Sequence, residues 1–355
     1  MTSPSQIARR ALAWAAMARP SPRRAAGPAR PDEQLRLITK VARLYHEHGV
    51  RQPEIARRLH LSQARVSRLL KQAEQRGIVR TTVVVPEGLW TALEDRLEAA
   101  YGLREAVVVE CFDSTDEAIA YDLGVAAASY LETTLTGGDV VGISSWSATL
   151  LAAADAMRPF SRVAAERVVQ LFGGVGNPTA EAHAARLTQR FADLTGAAPT
   201  FLLAPGIATS AQARRALMQD RYVQSAMEAF DEITLALVGI GALDPSSLLQ
   251  SSGNVFADRE LRALGAKGAV GDICLRFYDA AGAPIASEVD RRVIGVTLDQ
   301  LKRADRSVGV AGGERKYEAI LGALRGRLIN VLITDHVTAE RLAAAAPADA
   351  AGAGD

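Results

Sequence analysis

Four short stretches carry residue types and spacings that could hold a small polar molecule. "DVVGISSWSATL" (139–150) runs from an apolar segment into a hydroxyl-rich loop that opens a helix. Free backbone N–H groups there, with the hydroxyls of Ser144, Ser145, Ser147 and Thr149, would cradle a phosphate. The same residues would serve equally as a capped helix start with no ligand. "VAGGERK" (310–316) repeats the arrangement. Gly312 and Gly313 permit close backbone approach, and Lys316 could neutralise a phosphate as a point charge or lie on a helix surface. "GDICLRFYD" (271–279) places Asp272 and Arg276 near a strand end, with Asp272 either accepting a ligand hydroxyl or ending a turn. "FGGVGN" (172–177) adds Gly173, Gly174 and Asn177. Trp146 could stack on a ligand face or pack in a core.

These stretches must be positioned by strands. "EAVVVE", "DVVGIS", "RVVQLFGG", "TFLLAP", "ITLALVGIG", "RSVGVAGG" and "INVLITD" are short apolar runs without polar alternation, separated by helical segments. That rhythm predicts an α/β domain over 103–345, with a mostly parallel sheet covered by helices on both faces. Ligands of open α/β sheets bind beyond the carboxyl ends of the strands, and several of these runs end in Gly, Ser or Asp.

Ahead of that domain, "QPEIARRLHLSQARVSRLLKQA" (52–73) has a different period. Ile55 and Leu59 are four apart, and Val66, Leu69 and Leu70 fall at i, i+3 and i+4, so two short helices are predicted. "HLS" leaves room only for a tight turn, Ser62 can cap the second helix, and Ala56 is small enough for a steep crossing. His60 stands in the turn, where this motif usually has glycine; histidine tolerates positive φ better than most residues. A preceding helix over 31–49 is expected, with Asp32 as cap, Leu35, Ile38, Val41, Ala42 and Tyr45 as its stripe, and Gly49 as its stop. Gly77 ends the last helix, and "IVRTTVVVP" (78–86) reads as a strand or hairpin arm. The prediction is an all-α winged helix-turn-helix over 32–86, then a boundary at Pro86 and Gly88 and an amphipathic linker helix over 87–102. In such a motif the second helix leads into the major groove. Gln63, Ala64, Arg65, Ser67, Arg68 and Lys71 are then outward. Gln63 and Arg68 are the types that pair with adenine and guanine edges, while Arg57, Arg58, Arg65 and Lys71 suit phosphates. A solvated basic hairpin without a DNA partner is the competing reading.

Charge agrees with a nucleic-acid-binding head. Residues 1–80 hold 17 Lys+Arg against 5 Asp+Glu, and the rest hold 24 against 35, so a net +1 conceals a basic front and an acidic body. Six of the arginines precede Pro31, in an Ala-, Arg- and Pro-rich segment (1–31) expected to be a disordered basic arm or an over-extended start. The final "AAAAPADAAGAGD" is low in complexity, and 346–355 is expected to be a loose tail. No run of 18 apolar residues suggests a membrane span. Two cysteines and 48% hydrophobic residues fit a globular protein of a reduced cytoplasm. His46 and His48 face different sides of their helix, so no metal is expected, and no cofactor is implied.

"GISSWSATL", "QLFGGVGN", "LVGIG", "GAVGDIC", "VIGVTLDQL", "VAGGERKYEAILGALRG" and "NVLITD" follow one another in that order behind the helix-turn-helix. Over roughly 33–345 the chain resembles the SorC family of sugar-responsive transcriptional regulators, related to DeoR regulators. The resemblance implies a sensor folded like sugar-phosphate isomerases and an effector that is a phosphorylated sugar or polyol-derived metabolite. It also implies double-stranded operator DNA as partner and a dimer or tetramer. Family members commonly carry glycine where Leu275 stands, which implies a differently shaped pocket here. An isomerase with a DNA-binding appendage is the alternative. Asp272, Asp290, His183 and His336 could supply acid and base, yet no Asp–His or Glu–His cluster recurs at close spacing.

Overall fold

The computed structural model describes residues 33–79, 89–174, 178–244 and 256–346, with the side chains of 178–184 left aside. Asp32, most of the predicted wing, Pro86, Gly88, Asn177, the His183 side chain, the arm and nearly all of the tail fall outside these residues. Two compact units divide the chain, Met1–Val84 and Val85–Asp355.

The first unit holds α1 (Glu33–His46), α2 (Gln52–Leu59) and α3 (Gln63–Gln75). Ile38, Val41 and Ala42 of α1 bury against Ile55 and Ala56 of α2 and Val66, Leu69, Leu70 and Ala73 of α3. The stripe of α1 is narrower than its sequence suggests, because Leu35 and Tyr45 remain exposed. Ser62 accepts the Arg65 N–H at 3.3 Å and so caps α3. His60 takes φ +53°, Gly49 +63° and Gly77 +66°, which are the left-handed turns that the three helix ends require.

The second unit runs α4 (Thr91–Tyr101), β1 (Glu105–Val109), α5 (Asp116–Thr134), β2 (Val140–Ile143), α6 (Ala148–Ala156), β3 (Arg167–Gln170), α7 (Pro178–Thr195), β4 (Ala198–Thr200), α8 (Ala211–Leu217), α9 (Arg221–Glu228) and β5 (Leu235–Gly239). It continues with β6 (Gly241–Ala242), α10 (Asp258–Ala266), β7 (Ala269–Ile273), β8 (Arg276–Asp279), α11 (Leu298–Arg303), β9 (Arg306–Val310), α12 (Tyr317–Arg325), β10 (Val331–Asp335) and α13 (His336–Ala344). Seven strands form one parallel sheet in the order β1-β10-β9-β5-β2-β3-β4. Along β5, Leu235 and Leu237 enter one apolar cluster while Ala236 and Val238 enter another, so both sheet faces are covered. Each predicted strand run contributes to this sheet, but "TFLLAP" does so only through Thr200. The edge strand lies earlier, at Ala198–Thr200, and accommodates Pro199 because an edge N–H is dispensable. The antiparallel sheet β6-β7-β8 is an addition that the parallel rhythm did not announce.

Helix α4, read from sequence as a linker, packs within the second unit. Leu93, Leu97 and Tyr101 are buried, and the Tyr101 hydroxyl donates to the Leu342 carbonyl at 2.6 Å. Its Glu98 and Glu94 carboxylates accept the outward N–H groups of Ala106 and Val108, each at 2.9 Å. Those bonds occupy the otherwise unpaired side of edge strand β1. On the opposite face α5 and α6 meet at Gly124, where an added Cβ would lie 2.6 Å from the Ala152 Cβ and 2.8 Å from the Ala153 nitrogen. Alanine in an exposed helix interior stabilises by about 1 kcal/mol over glycine. Here the sign reverses: Gly124→Ala is expected to destabilise the second unit by roughly 1–3 kcal/mol, the cost of overpacking, read as a lower urea midpoint.

Candidate effector site and DNA-reading helix

After β2 the chain steps outward to β3 and β4, then returns so that β5 pairs with β2 on its other side and β9 and β10 build the opposite way. The direction of the sheet therefore reverses between β2 and β5, and a crevice opens at their carboxyl ends. A cavity of about 620 Å³ occupies that place. Seven of the residues singled out from sequence border it: Ser144, Trp146, Ser147 and Thr149 after β2, Asp272 at the end of β7, and Gly312 and Lys316 after β9.

Ser145, Gly173, Gly174 and Gly313 are elsewhere, for physical reasons. Ser145 is buried behind the loop, and its hydroxyl has no partner among the described residues. Gly173 is glycine because a Cβ would lie 2.1 Å from the Ala204 carbonyl oxygen, and Gly174 bridges to Pro205. Gly313, at φ +88°, donates its N–H to Asp335 Oδ2 at 2.8 Å and to Thr338 Oγ1 at 3.0 Å. At Gly312 a Cβ would meet Asp335 Oδ2 at 2.2 Å. The glycine pair thus makes room for a buried carboxylate that also caps α13 through Thr338 N–H at 2.9 Å. Ser147 has a structural task as well, since its hydroxyl accepts the Leu150 N–H at 3.3 Å.

Sequence reasoning missed Asp116, Arg315, Cys274 and the Gly239–Ala242 segment, all on the cavity wall; Leu275, where a differently shaped pocket was expected, lies on the same wall. Arg315 is committed: its Nε donates to Asp116 Oδ2 at 3.0 Å and a terminal nitrogen to the Asp244 carbonyl at 3.0 Å. Lys316, half-buried, has no ion pair within 4 Å among the described residues. Burial, and then the adjacent Arg315, hold its ammonium below the usual lysine range, against the pull of Asp116 and Asp272. Asp272 is fixed at one oxygen. Oδ2 accepts the Leu275 N–H at 2.9 Å, and Oδ1 faces Gly241, where a Cβ would approach to 2.2 Å.

Leu275 delivers that N–H from a two-residue hairpin turn. Ile273 pairs with Arg276, and Cys274 and Leu275 between them take φ +52° and +64°. Such a turn asks for positive φ at both central residues, and each non-glycine there costs roughly 1–2 kcal/mol. Burial, and then the Asp272 charge, push the Cys274 thiol far above the ordinary range, against the lowering influence of its hydrogen bond with Ser144.

The acid and base candidates are dispersed. Asp290 pairs with Arg276 at 2.8 Å, and Arg276 also donates to the Val296 and Gly295 carbonyls, so it braces the fold away from the cavity. His336 stacks on Trp90 with ring centres 5.2 Å apart. Among the described residues no group of His, Cys, Asp or Glu is arranged to hold a metal, and no helix is long and apolar enough to cross a membrane.

In the first unit Gln63, Ala64, Arg65, Ser67, Arg68 and Lys71 of α3 and Arg57 and Arg58 of α2 are all exposed. Arg58 is held by Glu54 at 2.7 Å, and Arg68 Nε reaches the Ala64 carbonyl at 3.3 Å.

Residues 88–344 match the putative sugar-binding domain family, and 42–86 match the MarR family. The chain belongs to the SorC family of transcriptional regulators. It is 38% identical over 312 residues to the deoxyribonucleoside regulator of Bacillus subtilis (strain 168), covering 87% of this chain and 98% of that one. It is 32% identical over 316 residues to the sorbitol operon regulator of Klebsiella pneumoniae, with 87% and 98% covered. The crystal structure of full-length SorC from Klebsiella pneumoniae superposes with a TM-score of 0.66 at 30% identity, over 88% of this chain and all of that one. A putative sugar-binding domain of the regulator DeoR from Pseudomonas syringae pv. tomato gives 0.58 at 40% identity, over 72% and 100%. These SorC-family relatives are named as regulators, and this chain is a regulator rather than an isomerase.

Burial pushes the Asp272 carboxyl up to about 6, against the lowering influence of the Leu275 N–H and Lys316. A carboxyl raised on folding favours the fold at low pH and loses that contribution as pH climbs through the raised value. Asp272→Asn keeps an oxygen for the Leu275 N–H but has no charge to desolvate. Its stability relative to wild type is expected to rise by roughly 1–3 kcal/mol between pH 4 and 7, in urea unfolding followed by the fluorescence of Trp90 and Trp146. A difference independent of pH would refute the shift.

Proposed function

We propose that this SorC-family regulator controls a carbohydrate, polyol or deoxynucleoside catabolic operon in the cytoplasm. A phosphorylated sugar or related metabolite, bound at the switch-point cavity, modulates its hold on operator DNA. The observation that carries the phosphate reading is Lys316, a cation without an ion-pair partner among the described residues. It stands in a crevice that also presents the opening residues of α6, Ala148 and Thr149. A phosphate would supply the missing counter-charge, and the backbone N–H groups at the start of a helix add to it. Asp272, fixed and half-buried, suits a sugar hydroxyl, and Trp146 suits a sugar face. The names of the relatives, which concern sorbitol and deoxyribonucleosides, favour metabolites of this kind.

On the DNA side, α3 is the recognition helix. Gln63 and Arg68 read base edges, Ala64 and Ser67 approach them, and Arg57, Arg58, Arg65 and Lys71 bind phosphates. A dimer or tetramer would present paired heads to half-sites spaced by whole helical turns. Effector and operator are then linked by roughly 1–3 kcal/mol.

Lys316→Ala is expected to leave effector-free operator affinity unchanged and to weaken a pentose or hexitol phosphate by at least roughly tenfold, the order of one charge-assisted contact, in calorimetric titration. An unchanged affinity would remove Lys316 from the site. Arg68→Ala should weaken operator binding by roughly 1–3 kcal/mol and relax the preference for one base pair, as read by anisotropy on a set of single-substituted duplexes. Uniform weakening across the set would reassign it to a phosphate.

A further inference from the structure

The turn Cys274–Leu275 is expensive in backbone terms and sits on the cavity wall, which calls for an explanation. Neither residue is glycine or asparagine, yet both take positive φ. The backbone needs of the hairpin would be met better by glycine at either position. What leucine adds is a side chain: Leu275 is 4% exposed, borders the cavity, and joins the apolar cluster that includes Phe172 and Ile240, which border the same space. Its own N–H, meanwhile, holds Asp272 Oδ2 at 2.9 Å. One residue therefore fixes the carboxylate and places an isobutyl group three positions along from it.

This juxtaposition discriminates among sugars. A hydroxyl turned toward Asp272 finds an acceptor. A hydroxyl turned toward Leu275 would be stripped of water with nothing to bond, and burying an unpaired polar group is costly. A carbon bearing only hydrogen would meet no such penalty. We infer that Leu275 is a specificity residue that makes the cavity prefer an effector lacking a hydroxyl at the carbon facing it, a deoxy sugar phosphate, over its hydroxylated counterpart. The inference rests on the cavity being the effector site.

Calorimetric titration of the full chain with matched pairs tests it: 2-deoxyribose 5-phosphate against ribose 5-phosphate, and 2-deoxyglucose 6-phosphate against glucose 6-phosphate. The wild type is expected to favour the deoxy member of at least one pair by roughly 10- to 100-fold, the range within which an apolar pocket rejects an added hydroxyl. Leu275→Asn suits the left-handed backbone better, retains the N–H that reaches Asp272, and offers the hydroxyl a partner. It should bring the ratio to within about threefold or invert it. Leu275→Gly, admitting water, should lower the ratio too, and it carries the test if the asparagine variant fails to fold. Operator binding without sugar reports folding of each variant. Equal binding of both members by the wild type, or a ratio that survives both substitutions, overturns the role of Leu275 while leaving the effector site standing. If no sugar phosphate binds the wild type, the effector reading fails and this inference with it.

Discussion

The parallel pairing of β2 with β5 is the constraint on which the sensor depends. Val141, Gly142 and Ile143 lie beside Leu235, Ala236 and Leu237, and from that pair the sheet grows in opposite directions. The connections leaving β2 and β5 must diverge, one toward α6 and the other toward the small antiparallel sheet, so nothing of the main sheet fills the space above them. Glycines keep this region tight. A Cβ at Gly142 would strike Leu171, and one at Gly239 would crowd the Ser147 hydroxyl. Because the crevice is a consequence of strand order, its polar residues can come from segments far apart in the chain. The Asp116 carboxylate and the Arg315 guanidinium that meet there are 199 residues apart.

Much of this architecture was legible in the sequence, for identifiable reasons. Ile55, Val66, Leu69 and Leu70 announced their helices by spacing, and Ser62 announced a cap, because both signals act within one or two turns. His60 was recognisable as a left-handed turn from its position between the two periodic runs. The parallel strands declared themselves because a sheet buried on both faces leaves no room for polar alternation. Ser144, Ser147, Asp272, Gly312 and Lys316 could be picked out because strand ends in such folds face the crevice.

What escaped was what local rules argue against or cannot reach. Cys274 and Leu275 avoid positive φ by type, so no turn signal marked the hairpin that shapes one wall. Gly173 and Gly313 looked like ligand cradles but answer to internal neighbours, the Ala204 carbonyl and the Asp335 carboxylate, which lie about 20 to 30 residues further along the chain. Ser145 and Ser147 were equivalent on paper; in the fold one is buried behind the loop and the other caps a helix at the cavity edge. Helix α4 read as a linker because its amphipathic face gives no hint that Glu94 and Glu98 bind the β1 backbone.

The functional account reduces to a linked equilibrium between two binding events on one chain, one at the basic first unit and one at the crevice of the second. Linkage is reciprocal: the factor by which an effector changes operator affinity equals the factor by which operator changes effector affinity. The most direct measurement is therefore the dissociation constant of one sugar phosphate, titrated into the free protein and into the saturated protein–operator complex under the same salt. The account predicts two constants that differ by at least roughly fivefold. Identical constants would contradict it, because a metabolite that binds both states equally can shift neither.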